Sequence, residues 1–289
     1  MDLQATLWPL VRGGGDPTHT AGPDGTFWRT CRTPLGPGTL ALRAHSGEVT
    51  ATAWGAGAEW LVSSVPDLLG GRDDSTDFRP RHPLVRDAHA AHPGLRIPRT
   101  GLVFDVLAPT VLEQKVTGIE ARRSWRELVW RYGEPAPGPT PRRMRVAPAA
   151  QTWARIPSWE WHRAGVDGKR SATIVTAARA ANRLEAATGM APPAALDRLR
   201  AIPGIGPWTS AEVAQRALGD ADAVSVGDLH IPRLVGWALI GRPVDDDGML
   251  ELLAPYAPHR HRVVRLVEMS GARKPRFTPR YAPRDFRTF

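Results

Sequence analysis

The stretch "LRAIPGIGPWTSAEVAQRAL", residues 199–218, decides the fold. Leu196, Leu199 and Ile202 before its Pro-Gly centre, and Val213, Ala214 and Leu218 after it, recur at helical spacing, so two short helices pack across a tight connection. Gly204 and Gly206 allow positive φ and close approach of another backbone. Pro207 suits the first position of the second helix, where a missing N–H costs nothing. The expected product is a bare helix N-terminus whose N–H groups and dipole suit a phosphate, with Gly204, Ile205, Gly206 and Thr209 as candidate contacts. An αα-hairpin that only joins two core helices would carry the same glycines, so the turn alone leaves both readings open.

The next segment, "AVSVGDLHIPRLVGWAL" (223–239), places Asp228 at the expected start of the following helix, ten residues after Leu218. A carboxylate there is ordinarily an N-cap. A Gly-x-Gly hairpin followed at this interval by Asp is less ordinary, and here the chain resembles the helix-hairpin-helix DNA glycosylase superfamily. "DLHIPRL" is similar to that family's Asp-x-His-Val-x-Arg pattern through Asp228, His230 and Arg233. A separate stretch, "GLRIPRTGLVFDVLAPTVLEQKVTGIEARRSWRELVWRYGE" (94–134), resembles the 3-methyladenine branch, in which a Gln-x-Val-Ser/Thr turn joins two helices; Gln114, Val116 and Thr117 stand at those positions.

The resemblance implies a DNA N-glycosylase of base excision repair, acting on double-stranded DNA that contains damaged bases. Breaking an N-glycosidic bond leaves positive charge on the sugar, so a fixed anion is needed beside C1′, and Asp228 is the candidate catalytic residue. An alkylated purine is already cationic and leaves readily, so no strong general acid is required. Superfamily members that also cut the strand carry a lysine where this chain has Trp208, which implies a monofunctional enzyme that leaves an abasic site. Trp208 resembles the aromatic wall of the branch, able to stack on a cationic base. Lys115 occupies the wedge position and Gln114 is the expected contact to the strand at the lesion. Glu212 and Glu268 stand where the branch can carry aromatic pocket walls, which leaves the lesion open. The open alternatives are a neutral base such as hypoxanthine or oxidised guanine, a damage-recognition protein that does not cut, and a lyase route through Lys115. The resemblance also implies a monovalent cation on the hairpin carbonyls of Arg200, Ile202 and Ile205; no other cofactor or metal is expected.

Composition agrees with a polyanionic partner. The 289 residues carry a formal net charge of +9, and only Lys115, Lys169 and Lys274 are lysines, so the basicity is nearly all arginine, whose planar fork suits phosphate. Residues 254–289 hold nine Arg or Lys against Glu268 and Asp285, and the proline-rich end is expected to lie along DNA or to be partly disordered. A lone cysteine, Cys31, excludes within this chain a disulfide, a cysteine-based zinc site and a four-cysteine iron–sulfur cluster. Without a long apolar run or a leader-like start, a cytoplasmic, nucleoid-associated monomer is expected, away from membranes.

The texture predicts an α+β fold. Residues 1–95 mix β-like runs (26–33, 39–45, 48–55) with one helical run beginning at Ala58, which reads as a small α+β domain. Residues 96–289 read as a mostly helical glycosylase domain with a basic tail, interrupted by a proline-rich surface loop, "GEPAPGPTPRRMRVAP" (133–148). Trp125, Trp130, Trp153 and the "WEWH" run (Trp159–His162) are expected in the core, His230 as a brace, and the Asp run at 245–247 as a helix cap.

Overall fold

A computed structural model describes residues 2–272. Most of the basic tail, residues 273–289, therefore lies outside the described residues. The N-terminal part is an antiparallel meander in the order β1 (His19–Ala21), β2 (Phe27–Thr33), β3 (Gly36–His45), β4 (Glu48–Trp54). Phe27 pairs with Leu42, and Thr39 with Trp54. Ser46 and Gly47, at φ 50° and 87°, make the two-residue turn between β3 and β4, whose mirror-type twist matches the strands. Helix α1 (Ala58–Leu68) covers the inner face, where Cys31, Leu40 and Leu42 meet Leu61 and Leu68. Burial pushes the Cys31 thiol up to about 12, which leaves it unreactive.

The helical part comprises α2 (Pro83–Ala91), α3 (Val103–Leu112), α4 (Gly118–Tyr132), α5 (Gly168–Arg179), α6 (Pro192–Arg200), α7 (Pro207–Val213), α8 (Ile231–Ile240), α9 (Asp246–Leu253) and α10 (Arg260–Met269), with shorter turns between. Nine of the ten α3 residues are buried, as a helix apolar on every side must be, and α4, α5 and α7 pack round it. Each enclosed leucine such as Leu107 contributes about 1.5–3 kcal/mol. Trp153 stacks between Trp125 and Trp161 at 6.2 and 5.6 Å. Trp159 departs from the expectation: it is 66% exposed at the start of a single turn.

Two further departures concern boundaries. Phe78, Val85 and Leu95 pack with Val235, Met249, Leu253 and Val263, so residues 78–95 share their core with α8–α10 rather than with the sheet. The change of texture near residue 95 is thus not a core boundary, because α2 buries its apolar stripe against helices distant in sequence. The proline-rich loop carries a two-residue ladder, Glu134–Pro135 with Arg145–Val146, and Arg145 N donates to Pro17 O at 2.8 Å, which docks it on the N-terminal part.

Asp16 fastens that N-terminal part to α4. Its buried carboxylate accepts from Arg12 N (2.7 Å), Thr18 N (2.9 Å) and Trp125 Nε1 (3.1 Å), with His19 at 3.2 Å. Burial alone would raise its pKa, but His19 and these donors outweigh that and hold it well below the usual carboxylate range. No described helix is long and apolar enough to cross a membrane.

Candidate active site

The hairpin between α6 and α7 is built as the sequence requires. Gly204 has φ +90°, and a Cβ there would stand 2.1 Å from Thr173 Oγ1 of α5, so only glycine fits. The single Thr173 hydroxyl proton is shared between Lys169 O at 3.0 Å and Pro203 O at 3.2 Å, backing the bend against α5. Gly206 faces open space, with nothing within 4 Å of a built Cβ. Among the described residues, the N–H groups of Gly204 and Gly206 have no acceptor and lie on an accessible bend, leaving them available to an anion; that of Thr209 has none either, but Thr209 is buried, which removes it from the expected outward contacts. Ile205 corrects the expectation. Its N–H donates to Ile202 O at 3.0 Å and its side chain is 5% exposed, so its amide closes the bend instead of facing out. That bond also takes one lone pair of the Ile202 carbonyl and leaves the other.

The Gln-x-Val-Thr turn reaches the hairpin directly. Gln114 Nε2 donates to Gly204 O at 3.0 Å and to Thr209 Oγ1 at 2.8 Å. Because a carbonyl only accepts, the amide nitrogen must face it, and Gln114 is a brace between two loops, its Nε2 already engaged. Lys115 follows, exposed and at φ +54°, a left-handed conformation that costs a side-chain-bearing residue on the order of 1 kcal/mol. Thr117 then opens α4 with a reciprocal cap: Glu120 Oε2 accepts from Thr117 N at 2.8 Å while Thr117 Oγ1 accepts from Glu120 N. The turn is thereby pinned on both sides of Lys115.

Asp228 sits across from the start of α7. Its Oδ1 accepts from His230 N (2.7 Å) and Ile231 N (2.9 Å), the first N–H groups on the approach to α8, and its Oδ2 accepts from Trp208 Nε1 (2.9 Å). The carboxylate is half-buried, and no cation among the described residues pairs with it. Gly227, at φ +91°, is held by Asp246, both of whose carboxylate oxygens accept from Gly227 N at 3.1 Å. The Asp run at 245–247 therefore divides its work: Asp245 caps α9 through Gly248 N, while Asp246 fixes the backbone just before Asp228.

One face of α7 and its continuation carries the contacts onward. Trp208, Glu212 and Arg216 follow at intervals of four and lie on one side, Arg216 within a π-type widening over Ala214–Leu218. Trp208 joins Asp228; Glu212 Oε1 accepts from Ser225 Oγ at 2.5 Å; Arg216 Nη1 donates to Glu212 Oε2 at 2.8 Å and Arg216 Nε to Pro9 O at 2.9 Å. Burial works against the Arg216 charge, but Glu212, with Glu113 and Glu268 behind it, outweighs this and keeps the guanidinium pKa raised. Glu113 is itself paired with Arg12 at 2.8 Å. Glu268 is exposed on α10 and pairs with Arg265 at 2.5 Å.

The structure thus brings Gln114, Gly204, Thr209, Trp208, Glu212 and Asp228 into one connected set, with Glu268 reaching it only through Arg216. Sequence reasoning did not single out Ser225, Arg216 or the Pro9 carbonyl, and read Asp246 only as part of a helix cap. Arg216 was legible as the residue one turn beyond Glu212; the other three act across distances in sequence that leave no local signal. A separate cavity of about 300 Å³, lined by Trp60, Ser64, Asp67, Arg99, Glu185 and Thr188, touches none of these residues. Among the described residues, no cluster of His, Cys, Asp and Glu has the makings of a metal site.

No protein-family model matches the chain. A curated protein of Mycobacterium tuberculosis, described as a probable bifunctional transcriptional activator/DNA repair enzyme AlkA, is 29% identical over 223 residues, 72% of this chain and 43% of that protein. The chain thus spans less than half the length of the curated relative it matches. Among solved structures, 3-methyladenine DNA-glycosylase from Archaeoglobus fulgidus superposes with a TM-score of 0.75 at 17% identity, covering 92% of this chain and 94% of the other. The apo 8-oxoguanine glycosylase/lyase of Clostridium acetobutylicum gives 0.72 at 11% identity, covering 94% and 93%. The α+β fold is that of these two solved DNA glycosylases.

Proposed function

We propose that this chain is a monofunctional DNA glycosylase that extrudes an alkylated purine from duplex DNA and hydrolyses its N-glycosidic bond. The observation that carries the reading is Asp228: a carboxylate oriented by three N–H donors, without a cationic partner among the described residues, tied through Trp208 to a hairpin with open N–H groups. A negative group so placed stabilises the oxocarbenium-like sugar as the base departs, and can orient the water that adds at C1′. The products are the free base and an abasic sugar, with the water's proton released.

The remaining residues divide between grip and gap. Gly204 and Gly206 offer N–H groups to the strand's phosphates, and a monovalent cation on the carbonyls of Arg200, Ile202 and Ile205 would add positive charge there. Lys115, projecting from a rigid turn, enters the space that the extruded nucleotide leaves, its stem against the stack. Trp208 bears no amine, so the abasic site is released without strand cleavage at that position. The +9 charge supports binding to DNA whose affinity falls with salt.

The test incubates the protein with methylated, hypoxanthine-containing and oxidised-guanine duplexes and identifies released bases by mass spectrometry. Release of methylated purines, with the strand left intact until alkali is added, is the expected result. Lesion-dependent binding with no free base from any duplex would convert the reading to a damage-recognition protein. Trapping of a covalent adduct by borohydride would restore a lyase step.

A further inference from the structure

The face of α7 that holds Trp208 beside Asp228 continues into a charged pair where the resembling branch can carry aromatic rings. Glu212 and Arg216 retain 14% and 16% of their side-chain surface, so the pair borders solvent beside the N-terminal segment, whose Pro9 O accepts from Arg216 Nε. Two rungs tie it to the Asp228 loop: Trp208 to Asp228, and Glu212 to Ser225, whose carbonyl accepts from Asp228 N at 3.2 Å. The pair is therefore held in fixed register with the group beside the scissile bond.

Hydrogen-bonding capacity remains unfilled. Each Glu212 oxygen receives one donor, Ser225 Oγ on Oε1 and Arg216 Nη1 on Oε2, and each keeps a further lone pair. Arg216 engages Nε and Nη1, while its Nη2 makes no hydrogen bond among the described residues. The pair thus offers two acceptors followed by a donor. His261, beside Arg216 on α10, adds no charge, because burial and the guanidinium groups of Arg265, Arg216 and Arg262 push its pKa well below the usual imidazole value.

We propose that the Glu212–Arg216 pair reads the flipped base by its polar edge and selects a guanine-type purine over an adenine-type one. This rests on the glycosylase reading above. The edge of guanine presents N2–H, N1–H and O6, donor, donor and acceptor in order, which complements two carboxylate oxygens and a guanidinium N–H. Alkylation at N7 leaves that edge intact and makes N1–H a stronger donor. Adenine alkylated at N3 turns N1, an acceptor, toward the carboxylate and leaves Glu212 without a donor, the kind of mismatch by which a polar site rejects an analogue. The selecting power therefore lies in edge complementarity, with Trp208 supplying the stacking that either base would accept.

A single internal competition tests this. DNA methylated by a simple alkylating agent contains 7-methylguanine and 3-methyladenine together, and both released bases are counted by mass spectrometry in one tube. Wild-type protein is expected to release 7-methylguanine at the higher fraction of its content. Glu212→Gln is expected to lower that release by about 10-fold or more, while 3-methyladenine release moves by less than about 3-fold. Glu212→Asp, which keeps the charge but withdraws it by one methylene, is expected to shift the ratio in the same direction and carries the test if the Gln variant fails to fold. Release of both bases with an unchanged ratio in both variants, or equal loss of both bases, would assign the pair a purely structural role. Preferential release of 3-methyladenine by the wild type would overturn the inference while leaving the glycosylase reading standing; release of neither base would overturn both.

Discussion

Asp167 and Asp228 each stand at the opening of a helix, and they differ in what answers their charge. Asp167 precedes α5 and accepts from Lys169 N and Arg170 N, as Asp228 accepts from His230 N and Ile231 N ahead of α8. The backbone grammar is the same. The third partner differs: Asp167 takes the guanidinium of Arg170 at 2.6 Å, whereas Asp228 takes the neutral indole N–H of Trp208 at 2.9 Å. One carboxylate is neutralised within its own helix. The other keeps its charge beside the hairpin, held there by the indole N–H rather than by a cation.

That comparison is broken or sharpened by substitutions at the two sites. Asp228→Asn retains the capping geometry and removes only the charge, so base release is expected to fall on the order of 10²–10³-fold in single-turnover assays while DNA affinity stays within about 3-fold. Normal turnover by this variant would show that the charge is irrelevant. Trp208→Phe keeps a ring but deletes the donor to Oδ2; a loss of about 10-fold in single-turnover rate is expected, with stacking largely preserved. Asp246→Ala frees Gly227 and is expected to lower the rate about 5-fold without altering affinity, since about 1 kcal/mol of positioning is removed. An affinity change without a rate change would place Asp246 in DNA binding instead.

At Asp167 the expected effects concern stability alone. Asp167→Ala should cost about 1 kcal/mol in denaturant unfolding, with base release per folded molecule unchanged. Its carboxyl is partly buried, which would raise its pKa, but the N–H and guanidinium of Arg170 prevail and lower it; Asp16 is depressed as well. A carboxylate with a folded pKa below its unfolded value of about 3.9 stabilises above that pH and loses the contribution as pH falls through the folded value. The Asp167 contribution is therefore expected to be present in full above about pH 4, so the difference in thermal midpoint between wild type and Asp167→Ala holds between about pH 5 and 7 and shrinks as pH falls below about 4. A difference that grew on acidification would contradict this assignment.

The sequence disclosed those parts of the site that are local. Gly204, Gly206 and Pro207 announce a bend because φ and the missing N–H restrict it, and Thr117 with Glu120 announces a helix start. Asp228 was legible by its interval from the hairpin. What remained hidden depends on contacts between distant segments: Asp246 gripping Gly227, Ser225 meeting Glu212, and Pro9 O meeting Arg216. Gln114 shows the same limit in reverse, since its residue type fitted a strand contact while its partner, Gly204 O, lies 90 residues away. The placement of residues 78–95 with α8–α10 was equally non-local, because an amphipathic helix shows that it has a buried face but not which surface covers it.

The central claim is that an unpaired Asp228 charge faces the sugar as it becomes cationic. The direct measurement compares binding of duplexes carrying a neutral tetrahydrofuran abasic mimic with duplexes carrying a positively charged pyrrolidine in its place, for wild type and Asp228→Asn. The account predicts that the wild type prefers the charged ring by about 10-fold or more, and that the variant loses this preference while binding the neutral ring as before. Equal affinity of the wild type for both rings, or a preference that survives in the variant, would contradict it.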